Sequence, residues 1–95
     1  MNLLVTYTCH PGKREAFLER LAAEKIRTSV IAEEGCFCYD YFLPVNDDGV
    51  TLLLVEHWAG ADALAKHLET EHMKRCGAFK GEYVASTKVV RLREI

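Results

Sequence analysis

No stretch of the chain approaches the roughly 18 consecutive apolar residues that a membrane-spanning helix needs. The opening Met1-Asn2-Leu3-Leu4-Val5-Thr6 also lacks the basic start and long apolar block of a secretory leader. A cytoplasmic protein with no membrane partner is therefore expected. Charge of one sign is equally scarce. The formal net charge is −2, and acidic and basic residues are interspersed with no basic stripe, so a nucleic-acid partner has no electrostatic footing. Absent too are the G-x-G-x-x-G turn, the P-loop lysine motif and the G-x-S-x-G elbow. A nucleotide-dependent enzyme is unsupported, and any redox chemistry must come from the substrate or from a group that leaves no motif.

What is present is a short, apolar chain. Its 95 residues suffice for one domain, 1–95, and 49% of them are hydrophobic. A chain of this size buries only about 60–65% of the surface its unfolded form exposes. So much apolar surface on so small a volume suggests that a second copy covers part of it. The four cysteines, Cys9, Cys36, Cys38 and Cys76, are expected to be reduced in a cytoplasm. Cys36 and Cys38 are two apart, so on a strand they are expected to share a face, and they lack the C-x₂-C spacing of a zinc site. They read as small apolar residues in or near a core.

The hydrophobic pattern predicts four strands and, between them, two helical regions, the second in two pieces. Leu3 to Cys9 is a first strand with Leu3, Val5, Tyr7 and Cys9 on one face, and His10-Pro11-Gly12 breaks it. A helix is expected from Lys13 to Glu34, stopped by Gly35 as a left-handed cap. Its apolar stripe of Phe17, Leu18, Leu21, Ala22, Ile26 and Val30 drifts round the axis, which predicts a kink near Thr28-Ser29. Cys36 to Leu43 forms a second strand with Phe37, Tyr39, Tyr41 and Leu43 on one face. A turn-rich segment with Asp48-Gly49 at its tip leads into a third, Val50 to Trp58. That third strand is nearly all apolar, so both of its faces should be covered. Ala61 to Glu69 reads as a helix, a second helical stretch runs from Glu71 to Phe79 with a restart at Thr70, and Val84 to Leu92 is the last strand.

The order β-α-β-β-α-β is the ferredoxin-like split βαβ pattern of the α+β class, an antiparallel sheet with helices on one face. The other face must meet water or another sheet. Two such sheets packed across a two-fold axis, a homodimeric α+β barrel, form the simplest closed solution.

Few residues could carry chemistry. Trp58 is either a core plug or a pocket wall that stacks on an aromatic substrate and donates one hydrogen bond. Glu56, two residues earlier on the same strand face, is either a rim carboxylate in a salt bridge or a functional group, a base or one that orients substrate. His67 sits on or beside the apolar stripe of its helix, as a satisfied core histidine or as a general base or proton donor near neutral pH. His72 follows at a five-residue offset, which is poor for sharing one helical face, and no metal site is expected from this pair. Tyr39, Tyr41 and Tyr7 are either amphipathic packing residues or groups that orient a phenolic substrate.

Three segments follow one another in a characteristic order: Glu33-Glu34-Gly35-Cys36, Val55-Glu56-His57-Trp58, and Ala65-Lys66-His67-Leu68-Glu69-Thr70-Glu71-His72-Met73. Together they resemble the antibiotic-biosynthesis monooxygenase family, including its quinol-oxidising members. The resemblance implies a homodimeric α+β barrel that oxygenates phenols, hydroquinones or polycyclic aromatics with molecular oxygen and no flavin, haem or metal. It makes Trp58 the pocket tryptophan and His67 the helix histidine, with Glu56 beside them. Tyr39, Tyr41, Tyr7, Leu54, Phe17 and His72 are the residues expected to contact substrate. Leu54 stands four residues before the tryptophan, where polyketide-modifying members carry an asparagine. Because one fold serves several chemistries, an isomerase or lyase acting on a small polar metabolite, and a non-catalytic binding domain, remain alternatives.

Overall fold

A computed structural model describes residues 1–95. Strand β1 (Asn2–Cys9) is followed by helices α1 (Arg14–Ala23) and α2 (Ile26–Ile31), then strands β2 (Cys36–Phe42) and β3 (Thr51–Trp58). Helices α3 (Ala61–Leu68) and α4 (Glu71–Lys80) lead to the last strand, β4 (Val84–Leu92). The four strands form one antiparallel sheet in the order β2-β3-β1-β4, the ferredoxin-like arrangement, with the helices on one face.

Alternation makes the two faces different. Along β1 and β3 every second residue is buried beneath the helices: Leu3, Val5, Tyr7 and Cys9 on one strand, Leu52, Leu54, Glu56 and Trp58 on the other. The helices supply Phe17, Leu21, Ile26, Val30, Cys76 and Phe79 to the same core. Trp58 and Leu54 are wholly inaccessible. Truncating a buried side chain as large as Trp58 costs about 3–5 kcal/mol.

The opposite face has no cover within the chain. Register pairs Leu4 with Val55 on one side and with Val90 on the other, and pairs Leu53 with Phe42, so an apolar patch runs across all four strands. Phe42 and Leu92 are about half exposed there, at 51% and 46%. The expectation that β3 is covered on both faces thus holds on one face within a single chain.

Three local expectations are corrected. The long helix breaks at Glu24-Lys25 rather than at Thr28-Ser29, with Lys25 in the left-handed region at φ 54°. The cause is distant in sequence: Arg75 of α4 donates to the Glu24 carbonyl at 2.9 Å and to its carboxylate, taking the place of a helical N–H. Helix α2 then ends at Ile31, short of Glu34. In β2 a bulge between Cys36 and Cys38 places two residues opposite one, so Cys36 pairs with Trp58 while Cys38 pairs with His57. The two cysteines therefore lie on opposite faces. Phe37 leaves the Tyr39–Tyr41 face and packs edge-on against His57 on the uncovered side.

Gly35 joins α2 to β2 at φ +84°, and a Cβ built there would lie 2.7 Å from that of Ala63. Only glycine meets both conditions. The residue lets the chain turn while α3 lies directly on the turn.

Candidate active site

The ends of β3 and β2, the α3–α4 junction and the residues just before Gly35 converge on one cluster. Trp58 donates its indole N–H to Glu56 Oε1 at 2.9 Å, a bond between two side chains on the same strand face. His67 lies over the indole with ring centroids 4.5 Å apart and planes inclined by 40°, and its imidazole is 5.8 Å from the ring of Tyr39. His67 is 2% exposed and Trp58 fully buried.

Behind His67 stands Glu33. Its Oε2 is 2.8 Å from His67 Nδ1 and also 2.8 Å from His72 Nε2. A carboxylate can only accept, so each imidazole donates to it. That assigns the proton of neutral His67 to Nδ1 and leaves Nε2 as the acceptor, the same orienting logic by which a carboxylate fixes a catalytic histidine. The five-residue offset does not keep the histidines apart, because His67 lies in the last turn of α3 and His72 in the first turn of α4, after the break at Thr70. The Thr70 hydroxyl accepts from Met73 N and donates to the His67 carbonyl, making that break specific.

Glu33, His67 and His72 offer three ligand atoms within 4.8 Å of one another, a donor set of the kind that holds zinc or a similar cation. The spacing favours hydrogen bonds. Ligands held at ~2.0–2.1 Å in a tetrahedron lie roughly 3.3 Å apart, whereas both nitrogens here stand at 2.8 Å from the carboxylate oxygen.

A cavity of about 260 Å³ opens between sheet and helices beside this cluster. Leu3, Val5 and Tyr7 of β1 with Thr87 and Val89 of β4 line the sheet side, and Leu64, Leu68 and Met73 line the helical side. Glu56, His67 and Tyr39 bring polar groups to it, and Lys80 of α4 is its one cationic wall. Larger depressions of about 460 and 410 Å³ lie elsewhere, around Arg91 and at the start of α3. They are shallow and lined mostly by polar residues, and an open apolar depression of about 330 Å³ shares Leu3, Leu64, Leu68 and Val89 with the cavity but has no acid or histidine in its wall.

Burial shifts the ionisable groups in one direction. The Glu56 carboxyl is pushed above its ordinary range by desolvation, against the opposing pull of the Trp58 N–H. Tyr7, Tyr39 and Tyr41 are all pushed well up by burial, so their phenols stay protonated.

Not every residue singled out from the sequence meets the cavity. Tyr7, Tyr39, Glu56 and His67 line it. Trp58 backs His67 from the core side. Leu54 and Phe17 are core residues, Phe17 packed against Tyr7 and Tyr83. Tyr41 faces a separate depression beside Leu18 and Arg27, and His72 reaches the site only through Glu33. Sequence reasoning passed over Glu33 and Lys80. Glu33 stood inside the Glu33-Glu34-Gly35-Cys36 segment, but nothing local said that its carboxylate reaches residues 34 and 39 positions away.

The antibiotic biosynthesis monooxygenase family model matches residues 1–78. The chain belongs to this family. PA3566 from Pseudomonas aeruginosa is similar at 29% identity and a TM-score of 0.88, over 99% of this chain and 92% of that one. Rv0793 from Mycobacterium tuberculosis is similar at 26% identity and a TM-score of 0.81, over 99% and 95%. A solved antibiotic biosynthesis monooxygenase superimposes with a TM-score of 0.82 at 23% identity, over 99% and 97%; at that identity the likeness concerns the fold. No protein of curated function matches the sequence.

Proposed function

We propose that the protein is a monooxygenase that oxidises a small phenol or hydroquinone with molecular oxygen, with His67 as the base and no prosthetic group. The observation that carries this reading is the Glu33–His67 pair at the polar end of an apolar cavity. Glu33 holds Nδ1 protonated, so Nε2 is free to take the proton of a substrate hydroxyl. Trp58 keeps the imidazole plane in place, the Glu56 carboxyl, pushed above its ordinary range by burial, stands beside the reacting ring, and His67, once it has taken the substrate proton, is the donor there. Tyr39 and Tyr7 contribute aromatic walls.

Chemically, a deprotonated quinol is electron-rich enough to reduce oxygen itself. One electron passes to oxygen, and the resulting radical pair joins to form a carbon–peroxide bond. Loss of water then leaves one oxygen atom on the ring and the other in the water. For 1,4-dihydroxynaphthalene and oxygen, the balanced products are a hydroxynaphthoquinone and water. The protein's part is to generate the anion in a dry cavity and to meet the developing peroxide charge with a donor. At 260 Å³ the cavity lies just below the ~300–1,000 Å³ typical of ligand pockets, which suits a one- or two-ring substrate.

The reading includes a second copy of the chain. The uncovered patch around Leu4, Leu53, Val55 and Val90 is placed to pack on its symmetry mate and close a barrel of two sheets.

An oxygen electrode with a panel of naphthoquinols and benzoquinols tests the reaction. Uptake above the buffer rate, with one labelled oxygen atom recovered in the product, is expected. Uptake no faster than buffer across the panel, or product formed without oxygen consumption, overturns the proposal.

A further inference from the structure

Lys80 is the last residue of α4 and half buried, and it is the only cation lining the cavity. It has no carboxylate within 4.0 Å, whereas Arg14, Arg20, Arg27 and Arg75 are all ion-paired. Its ammonium lies over the ring of Tyr7, with Nζ 5.6 Å from the centroid. A cation part-withdrawn from water over an aromatic cavity wall, and unpaired within the protein, is placed to take its counter-charge from a ligand.

Register fixes where this happens relative to the reacting end. On the helix-covered face Glu56 pairs with Leu3, and Tyr39 pairs with Glu56, so the His67 cluster stands over the Leu3 end of β1. Lys80 stands over Tyr7, four residues along the same strand. At ~3.3 Å per residue, that separation is about 13 Å. Leu3, Val5 and Val89 line the sheet side between the two ends. The cavity is therefore polarised: a proton acceptor at one end, apolar walls between, and a single positive charge at the other.

We infer that the substrate is an anionic aromatic, carrying a carboxylate or similar acidic group at the end of the ring system opposite its reacting hydroxyl, and that Lys80 binds that group. This names the substrate class for the site described under the proposed function and rests on that reading. The binding preference can nevertheless be measured without turnover. Lys80 acts on ground-state affinity and orientation, not on the proton transfer.

Calorimetric titration of the full chain with 6-hydroxy-2-naphthoate, 3-hydroxy-2-naphthoate and 2-naphthol tests the inference. The first compound, with hydroxyl and carboxylate at opposite ends, is expected to bind at least about tenfold more tightly than neutral 2-naphthol. The third-position isomer, whose groups are adjacent, is expected to gain less than about threefold. In Lys80→Met the advantage of 6-hydroxy-2-naphthoate should fall to within about twofold, while Lys80→Arg keeps it. Unfolding curves that match wild type establish that Lys80→Met is folded. An undiminished preference in Lys80→Met, equal gains for both carboxylates, or no binding of any of the three compounds overturns the inference. If the preference is found and depends on Lys80 while no quinol is oxidised, the anionic subsite stands and the oxygenase reading fails by itself.

Discussion

The imidazole of His67 lies on the indole of Trp58 at 4.5 Å between ring centroids, although the two residues come from different elements, the end of β3 and the last turn of α3. Each is tied to a different acid: Trp58 to Glu56 at 2.9 Å and His67 to Glu33 at 2.8 Å. The stack therefore links two carboxyl groups of opposite character, one buried and biased towards protonation, the other an acceptor for two histidines.

Removing the base should abolish the chemistry. His67→Ala is expected to lower kcat by about 10²–10⁴-fold, the range of a positioned general base. Glu33→Ala, which leaves the imidazole present but unoriented, should cost about 10–100-fold, in kcat more than in KM. Steady-state oxygen uptake measures both, and a Glu33→Ala enzyme with unchanged kcat contradicts the orienting role.

The indole bond has its own consequence. Trp58→Phe keeps the ring volume but leaves buried Glu56 without the donor it now has, which should cost about 1–3 kcal/mol in urea unfolding. A variant as stable as wild type contradicts this.

Glu56 also sets a pH dependence. Its carboxyl is raised above its ordinary range, first by burial. Folding therefore favours the protonated form. That stabilisation is fully present below the unfolded value and is lost as the pH rises through the raised folded value. Melting temperatures of wild type and Glu56→Gln from about pH 4 to about pH 8 should show the variant gaining on wild type as pH rises. A constant difference, or one of opposite sign, contradicts the assignment.

Much of this architecture is legible in the residues. The alternation of β1 and β3, the left-handed turn at Gly35 and the Thr70 restart all act within a few positions, so local pattern is enough to find them, although the helix before Gly35 stops earlier, at Ile31. The break at Lys25 is not legible, because Arg75 stabilises it from another helix. Nor is the β2 bulge, since Cys36-Phe37-Cys38 carries no glycine or proline to announce it. The same limit governs the site. The motifs containing Trp58 and His67 identify themselves, while Glu33 and Lys80 acquire meaning only when distant segments are brought together. Trp58 shows the complementary case: the sequence left it as plug or wall, and the packing makes it a plug that supports the histidine.

Gly35 offers a test of the turn. Gly35→Val combines a positive φ with a Cβ 2.7 Å from that of Ala63, and should destabilise by about 2 kcal/mol or more. Thermal unfolding that differs from wild type by less than a few tenths of a kcal/mol contradicts it.

The uncovered sheet face predicts assembly. Light scattering should give twice the 10.8 kDa of one chain, and Val55→Lys should halve that mass. A wild-type mass of one chain at micromolar concentration contradicts the paired-sheet barrel.

Proton removal by His67 is the step on which the reaction depends, and it can be isolated from the oxygen chemistry. With oxygen excluded, 1,4-dihydroxynaphthalene is mixed with the protein at neutral pH and its absorbance followed. The account predicts the red-shifted spectrum of the bound quinol anion with wild type and the spectrum of the neutral quinol with His67→Ala. A neutral spectrum for quinol bound to wild type, or an anion that forms equally on His67→Ala, would contradict it.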